Sequence, residues 1–147
     1  MRYQFAGYYA ICLSPLVSIF LLIFRGYFVY EPHLDFLVPI VWHIGVNVLV
    51  VGVQLFGIIL YLIGYWKKEL VNFPSLPFSA ILLFLWGVVV SYAALVSYNE
   101  FMDWISQPFR REITVWDNME YATVAVKGLL WIASGLTFIV TDLYLRK

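Results

Sequence analysis

FLVPIVWHIGVNVLVVGVQLFGIILYLIGYW, residues 36–66, runs for 31 positions without a Lys, Arg, Asp or Glu. An α-helix rises 1.5 Å per residue, so roughly 20 apolar residues cross the ~30 Å hydrocarbon core of a bilayer. As a helix this stretch is about 46 Å long, so it must tilt, protrude or begin irregularly near Pro39. Three further stretches, 5–24, 78–98 and 121–145, are also long enough to span. The first two of these carry no charged residue, and the third carries Lys127 and Asp142. The chain therefore reads as an all-α membrane protein, a single four-helix transmembrane bundle over residues 1–147.

Composition points the same way. Hydrophobic residues make up 63% of the chain and charged residues 12%, against about 45–50% and 25% in soluble domains, which excludes a water-soluble fold. The net charge is zero, so there is no electrostatic case for nucleic acid as a partner. The one cysteine, Cys12, cannot form an intrachain disulfide or a CxxC site, and it reads as a small apolar residue in a helix interface. Many of the aromatics stand near the ends of the stretches, Tyr8, Tyr61, Trp66 and Tyr121 among them, as expected of rings that favour headgroup depth. The 5–24 run is about twice the length of a signal-peptide core and lacks a small-x-small cleavage site. It reads as a retained helix, bent at Ser14-Pro15 because proline removes an intrahelical hydrogen bond.

The connections are 25–35, 67–77 and 99–120. In the last, Phe101, Trp104, Ile105, Phe109, Ile113 and Trp116 are interleaved with charges, the pattern of a short interfacial helix or a loop packed on the bundle. Arg2, Lys67, Lys68, Arg146 and Lys147 fall on one side of the membrane. Arg25, Arg110 and Arg111 fall on the other, together with Glu31, Asp35, Glu100, Asp103, Glu112, Asp117 and Glu120. The excess of basic residues predicts cytoplasmic N- and C-termini.

Chemistry concentrates on helix two. At about 100° per residue, His43, Asn47 and Gln54 fall within roughly a 40° arc. Such groups are costly toward lipid, so they are expected to face the bundle, a cavity or a partner. They could bond across helices, line a polar path, or offer His43 as a haem or metal ligand. Bis-histidine ligation would need His33, which lies in the first connection. Glu31, His33 and Asp35 could hold a surface metal, although such a run is more often a solvated loop. Lys127 is expected to snorkel to the headgroups; the alternative is a buried ammonium paired with Glu120 or with a partner's acid. Asp142 and Arg146 read as an i,i+4 ion pair. Gly52 and Gly57 on helix two, Gly87 and Ser91 on helix three, and Gly128 and Gly135 on helix four are expected to bring backbones close together.

GxSxG, HExxH, a glycine-rich phosphate loop and clustered intramembrane acids are all missing from the sequence. No catalytic residue, metal site or cofactor is therefore predicted. What this leaves is a non-catalytic accessory or structural subunit of a larger membrane complex, with lipid and other membrane subunits as partners. A respiratory or other membrane oxidoreductase is the commonest setting for such subunits. Two alternatives stay open. One is a small homo-oligomeric transporter or channel with a His43, Asn47 and Gln54 path, and the other is a haem- or quinone-binding subunit that uses His43.

Overall fold

In hydrocarbon a backbone must satisfy its own N–H and C=O groups, which leaves helices or closed barrels. This chain forms helices. The computed structural model describes residues 3–28, 37–67, 76–105 and 115–145. These make up α1 (Tyr3–Phe28), α2 (Leu37–Trp66), α3 (Leu76–Ile105) and α4 (Val115–Leu145), with no strand among the described residues. All four helices are long and apolar enough to cross a membrane. The protein is an integral, multi-pass, all-α transmembrane bundle.

The helices outrun the apolar stretches. Residues 99–105 continue α3 and residues 115–120 begin α4, so Phe101, Trp104, Ile105 and Trp116 belong to spanning helices. Residues 106–114, with Phe109 and Ile113, lie outside the described residues, as do Glu31, His33 and Asp35. At this end the Tyr121 ring sits 5.4 Å from Tyr98 and 5.6 Å from Phe101. Pro39 falls in the first turn of α2, where a missing N–H costs nothing because it has no intrahelical acceptor. Pro15 is interior to α1, yet the helix continues through it. The carbonyl that Pro15 cannot bond, that of Ile11, accepts instead from Ser14 Oγ at 2.7 Å.

α1 packs antiparallel on α2, α3 packs antiparallel on α4, and α2 and α4 run parallel to join the two hairpins. Buried positions recur at alternating spacings of three and four. On α1 these are Gln4, Gly7, Ile11, Ser14 and Ser18, and on α2 Asn47, Val50, Gln54, Gly57, Tyr61 and Gly64. That is the seam of left-handed helix packing.

Glycine sets how closely the helices approach. A Cβ at Gly57 would stand 2.8 Å from Ile11 Cγ1, and one at Gly87 would stand 2.6 Å from the Gly128 carbonyl oxygen. At Gly135 it would meet the Ala80 carbonyl at 2.7 Å, and at Gly128 it would strike the Ser91 hydroxyl. Gly52 departs from the packing role expected of it. Nothing lies within 4 Å of a Cβ placed there or at Gly45, because both point away from α1 and α4. Gly7, not singled out in the sequence, is as tightly enclosed as Gly57, by the backbone of α2.

Two aromatics also leave the interfacial belt. Tyr61 is fully buried and Tyr8 nearly so. Their rings pack at a tilt against Phe138, with centroids 4.8 and 5.3 Å away, and their hydroxyls bond Thr141 at 2.7 Å and Ser79 at 2.8 Å. A buried tyrosine needs a partner for its hydroxyl, and both find one on another helix.

Candidate functional site: the intramembrane polar seam

The polar face of α2 meets α4 over its whole length. At the acid-rich end of the bundle, His43 Nδ1 is 2.6 Å from Glu120 Oε1, with the two side chains 16% and 19% exposed. This pair lies on a cleft of about 290 Å³ whose walls include Ala93, Ala94 and Ser97 of α3 and Tyr121 of α4.

One turn deeper, Asn47 Nδ2 donates to Thr123 Oγ1 at 3.3 Å, and Thr123 Oγ1 donates to the Glu120 carbonyl at 2.8 Å. The carboxamide is thereby turned so that its oxygen faces Lys127. Lys127 Nζ donates to Asn47 Oδ1 at 2.8 Å and to Ser18 Oγ at 3.1 Å. It also lies 5.6 Å from the centre of the Trp131 ring, within the range of a cation–π contact. Gln54 Nε2 donates to the Lys127 carbonyl at 3.1 Å. Trp131 Nε1 donates to Ser14 Oγ at 2.8 Å, the same hydroxyl that caps the proline-freed carbonyl.

Lys127 is buried, and it departs from the snorkelling reading and from the pairing with Glu120. It does not snorkel, because it is only 4% exposed and its stem points across the bundle toward α1 and α2. Nor does it pair with Glu120, whose carboxylate is held by His43. Among the described residues no carboxylate lies within ion-pair distance of Nζ. Neutral oxygens and an indole face surround this group.

His43, Asn47, Gln54 and Lys127 are therefore brought together, and each contacts α4, α2 or α1 from within the bundle. The serines that complete the seam, Ser14 and Ser18, were legible as one face of α1 at i,i+4, but serine in a spanning helix is too common to single out. Trp131 and Tyr61 resembled belt or filler aromatics. Gln54 Oε1 is a buried acceptor with no hydrogen-bond partner. Among the described residues no group of three or more His, Cys, Asp or Glu side chains is arranged to hold a metal ion.

A second feature lies on the opposite flank. α1 and α3 diverge around an apolar groove of about 520 Å³, walled by Cys12, Pro15, Leu16, Leu82, Trp86 and Val89 among others. Cys12 is half-buried where α1 faces α3 and packs against the core, the interface position expected of it. No protein-family model, curated protein or solved structure matches the chain.

Proposed function

We propose that this chain is a non-catalytic, structural subunit of a larger membrane assembly. The observation that carries this reading is how its intramembrane polar groups are used. His43, Asn47, Gln54 and Lys127 bond to neighbouring helices of the same chain, which fixes the bundle and leaves an outer surface of leucine, valine, isoleucine and phenylalanine. Gly45 and Gly52 add open, close-approach positions on that outer surface of α2. A respiratory or other membrane oxidoreductase is the first class of assembly to test, and both termini are placed on the cytoplasmic side by the basic residues.

The test is maleimide labelling of Gly52→Cys in a Cys12→Ser background. In native membranes a partner should shield position 52, and the chain expressed alone should lose that shielding. Equal labelling in both settings would count against a partner on α2. Cysteines at Ser75 and Ser106 should label from opposite faces, and labelling of both from outside would overturn the topology.

One observation favours a second reading, a small homo-oligomeric transporter or channel. The His43–Glu120 pair at the head of the polar seam borders a cleft. Solute flux by the purified chain in liposomes, lost in Asn47→Leu, would establish this alternative and displace the first.

A further inference from the structure

We infer that Lys127 is an intramembrane proton-binding site that exchanges its proton with the acid-rich end of the bundle through the His43–Glu120 cleft. The inference stands on the arrangement of the seam, whether the chain works alone or inside an assembly.

The first element is the cage. An isolated ion in a low-dielectric interior is costly, and buried charges are normally paired with an opposite charge. Here, among the described residues, the cage is neutral: the Asn47 oxygen, the Ser18 hydroxyl and the Trp131 ring. It suits both forms of the side chain. As an ammonium, Lys127 donates to Asn47 and Ser18 and places its charge near the indole face. As an amine it keeps two N–H donors and gains a lone pair, and the Ser18 hydroxyl can rotate to donate to that lone pair. Asn47 cannot reverse without breaking its bond to Thr123, so the switch falls on Ser18.

The second element is direction. Toward the acid-rich end, hydrogen bonds continue through Asn47 and Thr123 to the Glu120 backbone carbonyl, and the side chains of Glu120 and His43 border the cleft. Toward the other end, the bundle closes on Trp131, Tyr8, Tyr61 and Phe138, all at most 4% exposed. The titratable groups on the elements around Lys127 are few. His43 on α2 and Glu120 and Tyr121 on α4 lie on the cleft side, and Cys12 and Tyr8 on α1, Tyr61 on α2 and Asp142 on α4 lie on the closed side. Gly87, Ser91 and Ala94, where α3 packs on α4, carry none, and Tyr98 stands beyond them near the cleft mouth.

In the step itself, one Nζ–H bond breaks and its electron pair stays on Nζ. The proton passes through water admitted by the cleft to the neutral imidazole of His43. Lys127 goes from +1 to 0 and His43 from 0 to +1 beside the Glu120 carboxylate, so total charge is unchanged. Release from the imidazole to bulk solvent completes the exchange.

Replacing Lys67, Lys68 and Lys147 by arginine leaves Lys127 as the one lysine of the full chain. This variant, labelled at lysine Nζ with ¹⁵N, is reconstituted in liposomes with its orientation read from a cysteine at Ser106 in a Cys12→Ser background. The pH of each compartment is then varied separately from about 5 to about 11, which brackets the ordinary His and Lys values. The ¹⁵N signal is expected to change from ammonium to amine with the pH at the His43–Glu120 end alone, and His43→Leu should abolish that response. A signal that follows the other compartment, follows both, or stays ammonium throughout overturns the inference. The sidedness of the parent chain keeps the test decisive if His43→Leu does not assemble.

Discussion

Replacing Asn47 with leucine removes the Asn47 Oδ1 that accepts from Lys127 Nζ at 2.8 Å and the donor to Thr123 at 3.3 Å. A hydrogen bond to a charged group contributes about 1.5–3 kcal/mol, and an ordinary interhelical bond in membranes contributes about 0.6 kcal/mol. Asn47→Leu should therefore cost about 2–4 kcal/mol, most of it because an ammonium stays buried with one fewer acceptor. Lys127→Met loses the same bond but also removes the ion, so it should cost less than Asn47→Leu. In the double variant the leucine no longer strands a charge, and the two effects should fall short of additivity by about 1.5–3 kcal/mol. Reversible unfolding in mixed micelles, followed by far-UV circular dichroism, gives the four corners of this cycle. Additivity within about 0.5 kcal/mol, the behaviour of independent sites, would show that Asn47 does not hold Lys127 and would refute the reasoning.

Valine at Gly57 or at Gly128 should destabilise the bundle by about 1–3 kcal/mol, the usual cost of overpacking. Valine at Gly52 should leave the isolated chain within about 0.5 kcal/mol of the parent; the same unfolding assay separates them, and equal losses would contradict the helix contacts. His43→Gln should be milder than His43→Leu, because glutamine still offers donors to Glu120, and the leucine variant should lose no more than about 1.7 kcal/mol. A Soret band in the purified chain that disappears in His43→Gln would instead make His43 a haem ligand.

The span count, the helical class and the cluster on α2 were all legible from the sequence. Hydrocarbon length and the 3.6-residue repeat are local properties, and 36–66 displays both without reference to any other segment. The partners of that cluster were not legible. The pairing of His43 with Glu120 and of Asn47 with Lys127 depends on α2 and α4 running side by side in parallel, and no local pattern states which helices touch. The same gap explains Lys127, whose flexible stem reaches headgroups or the bundle core equally well until neighbours are placed. That Gly52 packs on no helix of this chain was not legible for a related reason. Its spacing from Gly57 and Gly45 marks small faces on α2, but spacing alone does not say which face a neighbour covers. The helix ends were longer than the apolar stretches because residues such as Glu100 and Asp103 keep helical backbone after hydrophobicity has ended.

The Lys127 cage also orders the protein's assembly. Ser18 and Asn47 both belong to the α1–α2 hairpin, which is synthesised before α4, the helix that carries Lys127. Until α4 enters, that hairpin must hold its polar face in the bilayer without the group it was built to receive. The early hairpin then acts as a receptor for the late one, and the lysine enters the lipid phase with its acceptors already in place. Truncation before α4 therefore removes more than a quarter of the structure. It leaves the α1–α2 hairpin with an unfilled polar face.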